Sequence, residues 1–251
     1  MDALVALRLQ LAWGADEALA ETPQDRLAQP PARPAALVPA ATPVPMGIPV
    51  DGATARAWKL AASATTRDAL RQTLAGFDGC ALRTTATNLV FSDGNPDAGL
   101  VLIGEAPGAE EDRSGLPFVG QSGRLLDAML ASIGLDRRQF LITNVLPWRP
   151  PGNRTPTDQE IALCLPFLLR HLALLRPHHL VLLGSMATRA LTGASQGISR
   201  LRGRWTPVSV PGLPQPVAAL PTYHPAYLLR TPAAKRDAWR DLLLLRRTLD
   251  R

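Results

Sequence analysis

The chain predicts an α/β fold, a three-layer α/β/α domain built on a central, mainly parallel four-stranded sheet. Apolar runs at Leu100 to Ile103, Phe140 to Val145, His179 to Leu183 and Val217 to Leu220 read as strands. They are nearly continuous rather than alternating, the pattern of strands buried on both faces. Helical patterns separate them, so the connections are crossovers and the sheet is covered by helices on each side.

The elements follow in order. Residues 1 to 20 read as an amphipathic helix, with Asp2 and Arg8 set among apolar positions and no basic n-region of an export signal. Its plainer reading is a loosely docked extension, and its sharper one a peptide that binds a protein partner. Residues 21 to 52 form a Pro/Ala-rich linker, with eight prolines between Pro23 and Pro49 that deny both helix and sheet. The domain spans residues 53 to 251 and opens with a helix over about Ala53 to Gly76. Further helices are expected near Gly123 to Ile133, Asp158 to Leu175, Met186 to Leu191 and Ala233 to Leu249. The segment from Pro225 to Arg230 reads as a loop. The apolar run Leu242 to Leu245 is too short to span a bilayer, so no membrane partner is expected.

Composition narrows the function classes. A chain of 251 residues with 46% hydrophobic content can bury one good core. A net charge of +6 and a pI near 10.3 suit a polyanionic partner, because basic groups set against phosphates release counterions. Cys80 and Cys164 form no CxxC and no disulfide framework, which fits a reducing cytoplasm.

The most informative stretch is LVLIGEAPGAEEDRSGLPFVGQSGRLL, Leu100 to Leu126. A strand runs into a carboxylate-bearing turn, an acidic cluster, a phenylalanine and a glycine-rich turn before a helix. These parts suit a planar base and a phosphate. Ligands of open parallel sheets bind beyond the carboxyl ends of the strands. Reading past each strand gives Glu105, Asn144, Gly184 with Ser185, and His224, so an acid, an amide and an imidazole converge on one rim. Other chemistries are excluded by spacing: there is no GxxxxGK[ST], no GxGxxG, no GxSxG, and no histidine cluster of metal-ligand form.

GEAPGAEED with PFVGQSGRLLD, then ITNVLPWRPPGNRTPT, then LPTYHPAYLLR, resemble the successive motifs of the family 4 uracil-DNA glycosylases. The resemblance covers about Phe77 to Leu245. It implies hydrolysis of the N-glycosidic bond of uracil in DNA to start base-excision repair, by a monomeric cytoplasmic, nucleoid-associated enzyme. A base must leave the duplex stack to be reached. Phe118 is placed to stack on it, and Asn144 to match uracil O4 and N3–H where cytosine would oppose donor to donor. The resemblance puts Glu111 where a thymine methyl would go, and Ala106 where some other glycosylase families carry an aspartate. His224 is the expected donor to the departing uracil O2, and Glu105 the carboxylate that stabilises the sugar cation or orients water. Ser122, Gly123 and Arg124 open a helix suited to a phosphate. Leu228 is a candidate wedge for the vacated stack. Arg202 and Arg204 are candidate backbone contacts, with a solvated loop as the plainer reading.

One departure stands out. Family members hold a four-iron four-sulfur cluster with four cysteines, and the matching positions here are Phe77, Cys80, Trp148 and Cys164. Two thiolates cannot complete such a site. The expectation is a cluster-free variant without cofactor, with large rings filling the volume. Two function classes follow: an active glycosylase, and a module of the same fold that binds DNA or damaged bases without turnover.

Overall fold

The computed structural model describes residues 52–250. The expected N-terminal helix and most of the linker therefore lie outside the described residues. Six strands form one sheet: β1 (Asp93–Gly94), β2 (Leu100–Gly104), β3 (Leu141–Asn144), β4 (His179–Leu183), β5 (Thr206–Val208) and β6 (Val217–Thr222). Their spatial order is β1-β3-β2-β4-β6-β5. The four strands expected from the apolar runs are the central ones and are mutually parallel, while β1 and β5 close the two edges antiparallel. The sheet is thus six-stranded and mixed, not four-stranded. The edge strands are two and three residues long, and β5 carries Pro207, which the missing donor confines to an edge.

Ten α-helices accompany the sheet among the described residues: α1 (Gly52–Ser63), α2 (Arg67–Gly76), α3 (Leu82–Thr85), α4 (Ala109–Ser114), α5 (Gln121–Ala131), α6 (Asp158–Leu175), α7 (Ser185–Thr192), α8 (Ile198–Leu201), α9 (Pro225–Arg230) and α10 (Lys235–Leu249). The single helix expected over Ala53 to Gly76 is two. Thr66 is extended and its side chain accepts from Ala69 N–H at 3.1 Å, which starts α2 afresh. The expected loop Pro225 to Arg230 is α9, started by Pro225 at its first position. α6 is as expected, and a capping box between Thr157 and Glu160 fixes its start. No helix among the described residues is long and apolar enough to cross a membrane.

The strands divide their side chains between two cores, as the pleat requires. Val101, Ile103, Leu180 and Leu182 join Ala57 of α1, Leu70 of α2 and Leu168 of α6. Leu100, Leu102, Val181 and Leu183 join Leu126 of α5 and Leu242 of α10 on the opposite face. Helices therefore cover both sides.

The first core also contains Phe77, Cys80, Trp148 and Cys164, each 1 or 2% exposed. The Phe77 ring lies 5.1 Å from that of Phe167, and the Arg56 guanidinium sits 5.6 Å above it. Such a ring, fixed on both sides, cannot be removed without leaving a cavity. Phe77→Cys is expected to lower the unfolding free energy by about 3–5 kcal/mol. Urea unfolding followed by tryptophan fluorescence measures it, and a loss below about 1 kcal/mol would show that the neighbours close the gap.

Candidate active site

The parallel strands deliver their C-terminal residues to one cavity of about 620 Å³. Gly104 of β2 lies beside Asn144 of β3 in register, and Leu183 of β4 beside Thr222 of β6. Glu105, Asn144, Gly184 and His224 all line the cavity, with Ala106, Glu111, Phe118 and Ser122. The convergence expected from the strand ends is present. Val145 N–H donates to Gly104 O and Leu146 N–H to Glu105 O, both at 3.0 Å, so the two loops leave the sheet tied together.

Phe118 holds an unusual backbone, φ 55°, in the left-handed region that an L side chain enters at a cost. Three features fix it there. A Cβ on Gly123 would lie 1.9 Å from Phe118 O, so only glycine lets the α5 start pass beneath it. The Arg137 guanidinium donates to Phe118 O at 2.7 Å and is itself held by Asp127 at 2.8 Å and Asp93 at 3.0 Å. Finally the Phe118 ring rests over Gly104, where a Cβ would meet both Phe118 Cζ and Asn144 Oδ1 at 2.4 Å. The ring and the amide thus share the space above one glycine.

Asn144 is 5% exposed, and its Oδ1 is a buried side-chain atom with no hydrogen-bond partner among the described residues. A buried amide oxygen left unpaired is destabilising, and such an atom marks a place where a ligand donor fits.

His224 caps α9. Its Nδ1 accepts from Ala226 N–H at 3.1 Å, so in the neutral ring the proton sits on Nε2. Burial lowers its pKa to about 4, and Arg230 pushes it the same way against a weaker opposite pull from Glu111. The imidazole is a neutral donor at physiological pH. Its ring lies 5.6 Å from that of Phe118. Glu105 is half-buried, and burial raises its carboxyl above the usual range.

Glu111 faces the cavity, but its carboxylate is engaged. Oε1 accepts from Val119 N–H at 2.9 Å and Gly120 N–H at 2.8 Å, and Oε2 from Gly108 N–H at 3.1 Å. It ties the loop after β2 to the loop before α5. The amides of Val119 and Gly120 are therefore already used. Ser122 lines the cavity, Gly123 is buried beneath Phe118, and Arg124 is exposed with Glu110 at 3.5 Å.

Two expectations are corrected. Leu228 is fully buried against Tyr223, Ala234 and Ala238, so as folded it cannot wedge into DNA. Arg202 pairs with buried Asp241 at 2.5 Å, bonds Asp237 O and lies 5.3 Å from the Tyr223 ring. It braces the site from below instead of facing solvent. Arg204 is exposed, matching its solvated reading. Sequence reasoning missed Arg137, whose partners lie 10 to 44 residues away and leave no local pattern. It also missed Tyr227 and Arg230, which line the cavity from α9.

The residues at the cluster positions do not fit an iron–sulfur site. Phe77 and Trp148 bring rings where thiolates are needed, and both are packed in the core.

The sequence model of the Uracil DNA glycosylase superfamily matches residues 91–243. A Type-4 uracil-DNA glycosylase of Pyrobaculum aerophilum is 35% identical over 179 residues, 70% of this chain and 90% of the relative. One from Archaeoglobus fulgidus is 43% identical over 162 residues, covering 63% and 80%. One from Thermotoga maritima is 41% identical over 152 residues, covering 60% and 77%.

The His224 assignment has a direct test. With a pKa of about 4 in the fold and about 6.5 in the unfolded chain, the unfolded state binds the proton first. The contribution of His224 to stability is then full above about pH 6.5 and is lost as pH falls toward 4. Nitrogen NMR of the folded protein should show the Nε2-protonated neutral ring from about pH 8 down to 5. An imidazolium signal at pH 6 would contradict it.

Proposed function

The chain belongs to the uracil DNA glycosylase superfamily, and from its site we infer that it releases uracil from DNA by hydrolysing the N-glycosidic bond. The observation that carries the assignment of roles is the orphaned Asn144 Oδ1 beside the Phe118 ring. A flipped uracil stacked on that ring gives its N3–H to Oδ1 and takes Asn144 Nδ2–H at O4. Cytosine presents an acceptor at N3 and a donor at N4, so it opposes like to like at both points. That mismatch leaves buried groups unpaired, which is the strong form of discrimination.

As the bond breaks, uracil leaves with the bonding electrons and the deoxyribose becomes cationic. His224 donates Nε2–H to O2, where negative charge grows; as a neutral donor held by the Ala226 amide it needs no reorganisation. Glu105 faces the same cavity and answers the charge on the sugar or orients the water whose oxygen bonds to C1′. Ala106 leaves that second task without an aspartate. Glu111, by locking both loops, closes the pocket wall where a thymine methyl would lie. On this reading the enzyme works as a monomer on uracil-containing DNA in the cytoplasm.

A labelled oligonucleotide with one uracil, treated with protein and then alkali, tests the reaction by strand cleavage. His224→Ala is expected to slow uracil release by about two to three orders of magnitude, the scale of one lost oxyanion donor. Uracil-DNA binding should change far less. Asn144→Asp should reduce discrimination against cytosine. Near-normal turnover in the first variant or unchanged selectivity in the second would remove that residue from its role, and binding without cleavage by the unaltered protein would favour the non-catalytic module.

The same reading holds that the enzyme carries no iron. Its support is the pair of buried rings at Phe77 and Trp148, with the two remaining thiols, Cys80 and Cys164, buried as small apolar groups. Anaerobically purified protein should be colourless and free of stoichiometric iron. A brown protein with about four irons per chain would overturn this.

A further inference from the structure

We propose that Asp241 is a positioning residue for His224: its carboxylate reaches from α10 to the end of β6 and, through Thr222 and Arg202, fixes the strand end that delivers the imidazole. The inference rests on the glycosylase reading and adds to it the group that holds the leaving-base donor in place.

The end of β6 needs such support. On one side β6 pairs with β4 as far as Thr222, but on the other β5 accompanies it only over Val217–Ala219. Leu220, Pro221 and Thr222 therefore run on with no strand at that edge among the described residues, and Tyr223 and His224 leave the sheet altogether. Backbone groups at a bare edge are met by water or by other parts of the chain. Here Gly203 N–H, in the segment leading into β5, donates to Pro221 O at 3.0 Å.

The rest of the support converges on Asp241. Its Oδ2 accepts from the Thr222 hydroxyl at 2.7 Å and from Arg202 Nε–H at 3.0 Å, and its Oδ1 accepts from Arg202 Nη2–H at 2.5 Å. Gly203 holds φ 69°, and a Cβ there would lie 2.6 Å from Asp241 Oδ1, so a glycine lets the carboxylate come this close. Arg202 also lies 5.3 Å from the Tyr223 ring, whose hydroxyl is 3.3 Å from Ser199 Oγ. Pro221, Thr222 and Tyr223, the three residues before His224, are thus each held. Beyond them the bond from Ala226 N–H to Nδ1 orients the ring, and the Asp241 cluster sets where that ring begins.

Stability alone does not call for this cluster. Asp241 and Thr222 are each 2% exposed, and the Arg202 side chain is 14% exposed. Taking a carboxylate and a guanidinium out of water costs much of what their attraction returns, and apolar side chains of similar volume often stabilise a core as well. What directed bonds add is a fixed place. His224 needs one, because its proton must meet the base oxygen where charge develops, and a misplacement of about 1 Å can cost a hundred-fold in rate.

Thr222→Val tests this, since it removes the hydroxyl that meets Asp241 and nearly keeps the shape. Single-turnover uracil release from saturated uracil-DNA is expected to fall about ten-fold or more, while the Kd for that DNA stays within about two-fold. Thr222→Ser, which keeps the hydroxyl, should recover most of the rate. Because the cluster acts through His224, adding Thr222→Val to His224→Ala should cost no more than about a further two-fold. A Thr222→Val rate within about two-fold of the unaltered protein, or a loss of the same size with and without His224, overturns the proposal. Asp241→Asn, which keeps the outline and weakens the same bonds, is held to the same criteria if Thr222→Val does not fold. If the unaltered protein releases no uracil, the glycosylase reading fails. Nitrogen NMR then still judges the positioning: the His224 ring signals should shift or broaden in Thr222→Val and return in Thr222→Ser, and identical signals in all three proteins refute it.

Discussion

The carboxylate of Glu111 is the constraint on which the site depends. It is 7% exposed and accepts three backbone N–H bonds, from Gly108, Val119 and Gly120. A buried carboxylate is tolerable only when its acceptor capacity is filled, so these bonds are obligatory to the fold. They join the loop that leaves β2 to the loop that enters α5, and Phe118 lies just before the second anchor. Once both loops are pinned, Phe118 has little choice of path. Its left-handed backbone is then held by the Arg137 donor from one side and the bare face of Gly123 from the other. Strain at Phe118 is offset by bonds made elsewhere, which is how a site keeps an unfavourable conformation.

Against this background of satisfied groups, the Asn144 oxygen is informative. Asp112 meets the Thr87 and Asn88 amides, Asp241 meets Thr222 and Arg202, and Thr143 donates to Phe91 O. Among the described residues the fold pairs its buried polar atoms with partners up to 104 residues apart in the chain, so Asn144 Oδ1 is not left over through general looseness. The β2 and β3 registers place it above Gly104, where the Phe118 ring blocks other approaches. A ring bearing an N–H in the plane parallel to Phe118 satisfies it. His224 lines the same cavity with its proton on Nε2, so an amide and an imidazole donor face one space.

The sequence made the frame of this arrangement legible because the frame is written locally. Continuous apolar runs identify strands buried on two faces, and residues following them fall on one rim; Glu105, Asn144 and His224 needed nothing more. The edge strands escaped because two residues at Asp93–Gly94 and a proline-bearing triplet at Thr206–Val208 carry no period. The burial of Leu228 escaped for a related reason. Six residues make under two helical turns, too few for a hydrophobic period to show which side faces the core. Arg202 was misplaced because its partner Asp241 lies 39 residues away, and Arg137 was overlooked because Asp93 lies 44 away. Long-range ion pairs have no signature in a local motif.

The core that holds Phe77 and Trp148 bears on the pocket through a short stretch of chain. Asn144 ends β3, and the backbone runs through Val145, Leu146 and Pro147 to Trp148, all of them buried. What the base pocket requires of this stretch is a fixed backbone. It receives that from the bonds of Val145 N–H to Gly104 O, of Leu146 N–H to Glu105 O, and of Val90 N–H to Pro147 O. None of these involves a side chain at the cluster positions. The core behind need only be dense enough to keep Trp148 in place, and Trp148 is buried there in one apolar cluster with Phe77 and Phe167. The amide at the strand end, the phenylalanine over Gly104 and the capping histidine therefore keep their places through backbone bonds, with an apolar core behind them.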